Sequence, residues 1–283
     1  MKKTAVVTGA TSGIGRALVN DLARRGFRLV LPCRDPDKAL ALRAEVCLHS
    51  PGAQFDFVPC DLADLASVRK CGQLIADRHP VVDLVVASAA TVEPRKTLTR
   101  QGVERTLAVN HLAHFTLIHW LLGNFYVHSR VILVASSAAR WARASFVDDL
   151  DYRRRRYRMF PAYANSKLAN IACASAFASQ LKPRQVACIS VHPGLIASSI
   201  WPTATPLQKL VVPLAKRFYF APPSRGAEVI GHLALAAEHN ESSGYFELDA
   251  QVPPPRGMSE AFQDRLEQVS LELCANYLPE WSL

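Results

Sequence analysis

A tyrosine and a lysine four residues apart, in Tyr163-Ala164-Asn165-Ser166-Lys167, are the side chains of this chain best suited to move a proton. Residues at i and i+4 share one face of a helix, so a phenol and an ammonium group would lie side by side. A cation about 4 Å away stabilises a phenolate by up to about 4 kcal/mol at an effective dielectric near 20, which lowers the tyrosine pKa toward neutrality. The pair alone is a weak signal, because the same spacing is common on amphipathic helices.

A glycine-rich turn near the amino terminus predicts a binding site for a phosphate group. An apolar strand runs into Thr8-Gly9-Ala10-Thr11-Ser12-Gly13-Ile14-Gly15, and a helical pattern follows at once. Glycines permit a tight turn and let backbone N–H groups at a helix start approach a pyrophosphate. The strand-turn-helix context makes this signal strong, although the spacing is Gly-x-x-x-Gly-x-Gly rather than Gly-x-Gly-x-x-Gly.

The residues after the second strand indicate which dinucleotide the turn would bind. Cys33-Arg34-Asp35 stands about twenty residues beyond the glycines, where an acid would accept hydrogen bonds from a ribose 2′-hydroxyl and an arginine can pair with a 2′-phosphate. Arg34, together with Ser12 and Arg16, therefore favours NADP(H) over NAD(H). In the alternative interpretation, Arg34 is an ordinary surface residue and Asp35 caps the next helix.

The elements that must position these residues alternate between strands and helices. Apolar, β-branched runs predict strands at 5–8, 28–33, 55–60, 82–88, 131–135 and 186–191. Longer periodic segments predict helices at 14–25, 36–48, 65–78, 103–122 and 160–181. A helix at 225–238, a strand at 245–248 and a helix at 259–277 complete the chain. This order predicts an α/β fold, a single-domain doubly wound parallel sheet of the Rossmann type with helices on both faces, over residues 1–283.

Residues 195–225 interrupt this regularity and are the candidate substrate-binding segment. Apolar residues lie here between prolines, namely Leu207, Leu210, Val211, Val212 and Leu214. The segment is either a partly helical lid or an ordinary crossover with apolar packing. Residues 207–220, which include Lys209, Lys216 and Arg217, could dip into a lipid surface as a peripheral membrane contact.

The composition describes a globular protein. The chain has 283 residues, of which 49% are hydrophobic, and contains no run of eighteen apolar residues. The first strand begins too early to leave room for a signal peptide, so we expect a cytoplasmic protein without a stable membrane anchor. Seven cysteines without a Cys-x-x-Cys pair argue against disulfide and zinc frameworks. His111 and His114 have no carboxylate nearby in the sequence, and no metal is expected.

The net charge of +9 raises the question of a polyanionic partner, because basic chains bind nucleic acids, anionic cofactors and acidic membranes. The densest basic run holds five arginines within residues 153–158. Asp148, Asp149 and Asp151 precede the run and partly neutralise it. We therefore expect a solvated loop and no nucleic-acid binding.

Together these residues resemble the short-chain dehydrogenase/reductase family, in its retinol-dehydrogenase-like branch. The strings that carry the resemblance are Cys33-Arg34-Asp35, Cys60-Asp61-Leu62-Ala63, Val109-Asn110-His111-Leu112-Ala113-His114-Phe115, Tyr163-Ala164-Asn165-Ser166-Lys167-Leu168-Ala169-Asn170 and Val191-His192-Pro193-Gly194. They occur in the family's order, from about Thr4 to the final helix. The resemblance implies an NADP(H)-dependent oxidoreductase that interconverts an alcohol and a carbonyl on a small, fairly apolar substrate, and it suggests a homodimer or homotetramer.

The resemblance also implies roles for individual residues. Tyr163 would be the general acid/base, and Lys167 would lower the pKa of that tyrosine while binding the nicotinamide ribose. Ser137, the second serine of Val134-Ala135-Ser136-Ser137, would hydrogen-bond the substrate oxygen, and Asn110 would hold a water that relays protons by way of Lys167. The implied cofactor contacts are Gly9, Thr11, Ser12, Gly13, Ile14, Gly15, Arg34, Asp61, Leu62, Ala89, Asn110, Tyr163, Lys167, Pro193, Gly194 and Ile196.

The interval between the serine and the tyrosine is expected to contribute to the substrate pocket. Ser137 precedes Tyr163 by 26 residues, a gap similar to that of the retinol-dehydrogenase-like branch. Trp141 and Phe146 in this interval, with apolar residues after Gly194, would line the pocket.

One segment departs from the family pattern. Where the family usually has Asn-Asn-Ala-Gly, this chain has Ala87-Ser88-Ala89-Ala90. The asparagine normally ties the central sheet together, and the glycine lets the backbone pass close to the cofactor. The departure motivates an alternative, a catalytically idle NADP(H)-binding regulatory protein. Retention of Ser137, Tyr163, Lys167 and Asn110 argues against that alternative.

Overall fold

Parallel strands form the centre of the molecule. The computed structural model describes residues 2–197, 200, 220–235 and 243–280. Its strands are β1 (Thr4–Val7), β2 (Arg28–Cys33), β3 (Gln54–Pro59), β4 (Leu84–Ala87), β5 (Arg130–Val134), β6 (Ala187–His192), β7 (Gly244–Glu247) and β8 (Ala250–Gln251). They form one sheet in the order β3-β2-β1-β4-β5-β6-β7-β8, in which neighbours from β3 to β7 are parallel and β8 is antiparallel to β7.

Helices connect these strands and cover the sheet. They are α1 (Gly13–Arg24), α2 (Pro36–His49), α3 (Leu65–Arg78), α4 (Arg105–Leu107), α5 (Ala113–Leu121), α6 (Met159–Leu181), α7 (Pro223–Leu235) and α8 (Glu260–Cys274). A π-helical segment, Ala108–Leu112, joins α4 to α5. Short 3₁₀ turns occur at Leu122–Asn124, Ser137–Trp141, Ala144–Asp148, Lys182–Arg184 and Ala275–Tyr277.

Successive strand residues point to opposite faces of the sheet and so supply two separate cores. Val6 and Val30 belong to the core that lies under α3, α5, α6 and α8. Val7 and Leu31 belong to the core that lies under α1, α2 and α7. Helices therefore cover both faces, which confirms the predicted doubly wound α/β fold.

The strand order places the two segments that the sequence singled out at one crevice. The chain crosses from β3 on one side of β1 to β4 on the other, so the strand order reverses between β1 and β4. Ligands of open α/β sheets bind beyond the carboxyl ends of the strands at such a switch point. The glycine turn follows β1 and residues 87–90 include the end of β4, so both border this crevice.

The predicted element boundaries differ from the structure in a few places. The helix predicted at 103–122 is interrupted by the π-helical segment, and the short strand β8 was not predicted. Most of the candidate substrate-binding segment lies outside the described residues, and so do residues 207–219 of the stretch predicted as a possible lipid contact. Residues 236–238 of the predicted helix at 225–238 lie outside them as well.

None of the helices in the described residues is both long and apolar enough to cross a bilayer. No group of three or more His, Cys, Asp or Glu side chains in those residues could hold a metal ion. All seven cysteines are free thiols.

The arginine run forms a loop that is bound by an acid preceding it. The Asp149 carboxylate accepts hydrogen bonds from the backbone N–H groups of Arg153, Arg154 and Arg155 at 2.9–3.1 Å. It also pairs with the Arg155 guanidinium at 3.0 Å. Asp149 is 7% exposed, so a buried carboxylate organises this loop and neutralises part of its charge.

Candidate active site

The glycine turn is folded too tightly for larger side chains at two positions. Gly9 has a φ of +69°, and a Cβ there would lie 2.9 Å from the Ala89 Cα atom. A Cβ on Gly15 would collide with the Gly9 carbonyl oxygen. Gly15 thus packs within the turn, and Gly9 lies directly against the segment that follows β4, so the two sides of the crevice are in contact.

The start of helix α1 fits a phosphate group. Gly13 has a φ of +53°, and a Cβ placed on it would meet nothing within 4 Å. The Ser12 side chain does not cap the helix, so the first backbone N–H groups of α1 are not occupied by it. Open space in front of the positive end of a twelve-residue helix is the arrangement that binds phosphate.

Thr8 holds the segment that departs from the family pattern. The backbone N–H groups of Ser88 and Ala89 donate to Thr8 Oγ1 at 3.0 and 3.1 Å. The Thr8 N–H donates to the Val86 carbonyl at 3.1 Å. Although the asparagine of the family pattern is missing, the hydrogen bonds that Thr8 accepts and donates therefore still join the ends of β1 and β4.

Asn110 lies in the π-helical segment and is fully buried. Its Oδ1 atom accepts a 2.8 Å hydrogen bond from the Thr91 N–H, and its Nδ2 group donates to the Thr91 carbonyl and to Ser166 Oγ, both at 3.0 Å. The side-chain amide therefore joins the backbone after β4 to helix α6. π-helical turns inside helices are frequent at functional sites. The water relay that the resemblance implies for Asn110 stays a prediction.

Tyr163 and Lys167 lie one turn apart on α6 as their spacing predicts, but both side chains are buried, with 7% and 2% of their surface exposed. The Lys167 Nζ atom is 5.6 Å from the centre of the Tyr163 ring. Burial lowers the pKa of Lys167 to about 7. Burial raises the pKa of Tyr163, while a hydrogen bond with Ser136 acts in the opposite direction. The lowered tyrosine pKa expected from the sequence is therefore not what the structure gives.

Both serines after β5 line the same cavity as Tyr163. The hydroxyl that bonds Tyr163 is that of Ser136, which also accepts a 3.2 Å hydrogen bond from the Ala138 N–H. The resemblance assigns the hydrogen bond to the substrate oxygen to Ser137, the second serine, and no contact with Tyr163 was predicted for Ser136. Ser136 and Ser137 are adjacent at the end of a strand, and nothing in the sequence indicates which of the two hydroxyls bonds Tyr163. The role of Ser137 toward a substrate stays a prediction, and Ser136 is the residue that sequence reasoning missed.

A continuous cavity of about 500 Å³ joins the glycine turn to Tyr163. Many of the predicted cofactor contacts lie on its wall, namely Gly9, Ser12, Gly13, Ile14, Ala89, Tyr163, Lys167, Pro193, Gly194 and Ile196. Ala90, which replaces the glycine of the family pattern, also lines it. The remaining predicted contacts, Thr11, Gly15, Arg34, Asp61, Leu62 and Asn110, lie outside that wall.

The far part of the cavity is apolar. Trp141 and Phe160 stand at its rim with 67% and 41% of their surface exposed, and their ring centres are 6.3 Å apart. Leu195, Ile200 and Phe220 line it as well. The prediction that Trp141 borders the pocket therefore agrees with the structure.

Phe146, the other aromatic residue predicted to line the pocket, lies elsewhere. It is 2% exposed and its ring packs against Phe262 of α8 at 5.7 Å between centres. The prediction for Phe146 was wrong, because the 3₁₀ turn Ala144–Asp148 directs this side chain into the core under α8.

Arg34 and Asp61 lie at the ends of β2 and β3, beyond the glycine turn. The Arg34 guanidinium is 3.9 Å from the Asp61 carboxylate, and the two side chains are 66% and 42% exposed. Asp35 caps α2 by accepting from the N–H groups of Asp37 and Lys38, as the alternative interpretation proposed. Among the described residues, Arg34 is thus held by a long, exposed ion pair alone.

Arg16 and Leu62 make contacts other than those the sequence suggested. Arg16, which the sequence grouped with Arg34, forms an ion pair with Glu45 of α2. Leu62 packs against the core under α3. Of the basic residues proposed for a 2′-phosphate, Arg34 is therefore the one without a close carboxylate partner in the part of the chain that the structure describes.

Comparison with known proteins places this arrangement in a family. The model of a family described as short chain dehydrogenase matches residues 3–148. Dehydrogenase/reductase SDR family member 13 of Bos taurus is 35% identical over 278 residues, which cover 96% of this chain and 73% of that protein. Retinol dehydrogenase 14 of Mus musculus is 31% identical over 291 residues, covering 95% of this chain and 84% of that protein.

Solved structures share the fold. An uncharacterised protein from Mycobacterium paratuberculosis superposes with a TM-score of 0.76 at 27% identity, covering 98% of this chain and 95% of that one. A short-chain dehydrogenase from Burkholderia cenocepacia, crystallised in complex with NADP, superposes with a TM-score of 0.68 at 21% identity, covering 88% of this chain and 97% of that one.

Proposed function

Because this chain belongs to the short-chain dehydrogenase/reductase family, in its retinol-dehydrogenase-like branch, we propose that it interconverts an alcohol and a carbonyl on a fairly apolar substrate, with NADP(H) as cofactor and Tyr163 as general acid/base. The family uses a nicotinamide cofactor. The observation that carries the proposal is the continuous cavity, which has Gly13 at one end and Tyr163 on the same wall. A dinucleotide anchored at the turn would lie along this wall.

The proton chemistry follows from the buried hydroxyl groups. When bound, the nicotinamide supplies hydride to a carbonyl carbon or accepts it from an alcohol carbon. Negative charge builds on the carbonyl oxygen during reduction, and Tyr163 would donate a proton to it while a serine hydroxyl donates a hydrogen bond. In the reverse direction the Tyr163 phenolate would remove the alcohol proton.

Lys167 would hold a proton close to the tyrosine. Its Nζ atom donates to the Val134 carbonyl at 2.7 Å, which fixes the amine beneath the cavity. Burial lowers the pKa of Lys167 to about 7, so the amine can gain or lose a proton near neutral pH. When it is protonated, its charge favours the phenolate form of Tyr163.

The preference for NADP(H) rests on Arg34. The arginine stands at the strand end where an acid would favour the free ribose, and its ion pair with Asp61 is long and exposed. A guanidinium group binds phosphate through two parallel hydrogen bonds. Arg34 would therefore move from Asp61 toward the 2′-phosphate.

The apolar rim supports a lipophilic substrate. Trp141, Phe160 and Leu195 leave large apolar surfaces exposed beside the cavity, and exposed apolar patches of this kind mark ligand sites. A carbonyl compound with a large apolar body would bury these surfaces while its oxygen lies at Tyr163.

The experiment that tests the function combines cofactor binding with turnover. Purified protein is titrated with NADPH and NADH, and NADPH oxidation is then followed with a panel of lipophilic aldehydes and ketones. We expect NADPH to bind and at least one apolar carbonyl to be reduced. Tight NADPH binding without turnover on any substrate would favour the idle regulatory protein instead. Absence of nucleotide binding would contradict both.

A further inference from the structure

A buried histidine connects the glycine turn with the segment that carries Asn110. His114, in the first turn of α5, is 1% exposed. Its Nε2 atom is 2.9 Å from Thr8 Oγ1, and its Nδ1 atom is 3.0 Å from the backbone carbonyl oxygen of Asn110. His114 belongs to one of the sequence motifs, but no role in the site was predicted for its ring, and the mechanism above does not use it, although it touches both sides of the candidate site.

The hydrogen bonds around Thr8 determine the tautomer of the ring. A hydroxyl group has two acceptor lone pairs and one hydrogen to donate. The N–H groups of Ser88 and Ala89 both donate to Thr8 Oγ1, so its hydrogen is left for one acceptor. His114 Nε2 at 2.9 Å is nearer than the Val86 carbonyl at 3.5 Å. Nε2 therefore accepts, and Nδ1 carries the hydrogen that it donates to the Asn110 carbonyl.

The ring must be neutral for this pattern to exist. Burial lowers the pKa of His114 to about 4, so at physiological pH the ring carries one proton and offers one acceptor nitrogen. A neutral ring with its hydrogen on Nδ1 turns the Thr8 hydroxyl so that both lone pairs face Ser88 and Ala89. His114 thereby controls the orientation of the group that joins β1 to β4.

We propose that His114 is a positioning residue for the cofactor site, which fixes the Thr8 hydroxyl and through it the contact between Gly9 and Ala89. This inference rests on the proposed function, because it assumes that a dinucleotide binds beside that contact. A Cβ on Gly9 would already lie 2.9 Å from Ala89 Cα, so a small displacement of the segment alters the crevice. The histidine takes part in the sheet connection that an asparagine provides in the usual family pattern.

A second histidine of α5 provides a matched control. His119 is also buried, and its Nδ1 atom lies 2.9 Å from the backbone carbonyl of the residue four positions earlier, Phe115. Burial lowers the pKa of His119 as well. Its ring packs against Phe115 and Phe177, with centres 4.3 and 5.1 Å away, and does not reach the glycine turn. The two histidines thus differ in the contact with Thr8.

The test compares His114→Phe with His119→Phe. Each variant keeps an aromatic ring and loses one hydrogen bond to a helix carbonyl, so both should lower the melting temperature of the cofactor-free protein. Only His114→Phe should weaken NADPH binding, by about 10-fold or more in Kd, because the Thr8 hydroxyl loses its acceptor. In steady-state assays the KM for NADPH should rise more than kcat falls. Equal Kd values for the two variants would overturn the inference.

A second pair of variants distinguishes the hydrogen bond of the His114 Nε2 atom from that of its Nδ1 atom. In His114→Gln the side-chain oxygen can reach the position of Nε2 and accept from Thr8, whereas in His114→Asn the shorter amide reaches only toward Asn110. We expect the glutamine variant to keep NADPH affinity within about threefold of wild type and the asparagine variant to lose about 10-fold. If both variants bind NADPH equally, the contact with Thr8 has no role and the inference is wrong. Wild-type protein that does not bind NADPH would contradict the proposed function itself.

Discussion

The Nζ atom of Lys167 donates a 2.7 Å hydrogen bond to the backbone carbonyl of Val134, the last residue of β5. The lysine is among the largest fully buried side chains of the described residues. Its amine is thus fixed by the central sheet and removed from water, which explains why its pKa falls to about 7. A buried amine held by the backbone is a device for exchanging protons near neutrality, and it makes the stability of the protein depend on pH.

The buried amine of Lys167 should make the free energy of unfolding rise with pH. An unfolded lysine has a pKa of about 10.4, so between about pH 7 and pH 10 the unfolded chain binds a proton that the folded, cofactor-free protein does not. Stability therefore rises with pH across this window. From about pH 7 to about pH 9.5, the free energy of unfolding of wild type should increase by about 3 kcal/mol more than that of Lys167→Met. Urea unfolding at both pH values measures the difference. The same pH dependence in both proteins would show that the buried amine stays charged.

Cofactor choice should depend on Arg34. Replacing it with alanine removes a charge-assisted contact to the 2′-phosphate, so Arg34→Ala should raise the Kd for NADPH by about 10–100-fold and leave the Kd for NADH nearly unchanged. Arg28→Ala is the matched control, because Arg28 is exposed at the opposite end of the same strand, β2. Titration of wild type and both variants with NADPH and NADH measures the Kd values. A parallel loss of affinity for both nucleotides in Arg34→Ala would contradict the assignment.

Substrate affinity should depend on the exposed aromatic rim. Trp141→Ala removes apolar surface that a lipophilic substrate would bury, at a cost of about 1 kcal/mol, or about a fivefold higher KM. The KM of a small carbonyl compound that does not reach the rim should not change. Steady-state kinetics with both kinds of substrate tests this, and equal effects on the two would exclude Trp141 as a substrate contact.

Phe146, five positions after Trp141, should affect the stability of the fold and not the affinity for substrate. Phe146 is buried against Phe262, so Phe146→Ala leaves a cavity in the core and should lower the free energy of unfolding by about 3–5 kcal/mol. The KM for a lipophilic substrate should stay the same in protein that remains folded. Denaturant unfolding and kinetics on the same preparation measure both quantities. A change in KM without a loss of stability would show that Phe146 lines the substrate pocket.

The sequence predicted those features that follow from local pattern. The alternation of strands and helices gave the doubly wound sheet, and the four-residue spacing of Tyr163 and Lys167 gave their common helix turn. The glycine turn could be located because Gly9 and Gly13 adopt backbone conformations that other residues avoid. Each of these signals lies within a few residues of the chain.

Features that depend on long-range contacts could not be predicted in this way. The burial of Tyr163 and Lys167 results from the packing of α6, and the burial of Tyr163 reversed the expected direction of the pKa shift of this tyrosine. The bond between Ser136 and Tyr163 depends on which of two adjacent hydroxyls, both of which line the cavity, lies within reach of the Tyr163 phenol. Phe146 looked like a pocket residue because the position of α8, more than a hundred residues later, was not known.

Whether Tyr163 carries the proton is decided by Tyr163→Phe. The variant keeps the ring and removes the hydroxyl, and Tyr126→Phe, which alters an exposed tyrosine at the other end of the sheet beside Asp83, serves as the control. The measurement is the rate of NADPH oxidation with the best apolar carbonyl, together with the Kd for NADPH. We predict that Tyr163→Phe binds NADPH as wild type does and reduces the carbonyl about 10²–10⁴-fold more slowly, while Tyr126→Phe keeps full activity. A Tyr163→Phe variant that turns over at the wild-type rate would contradict the account.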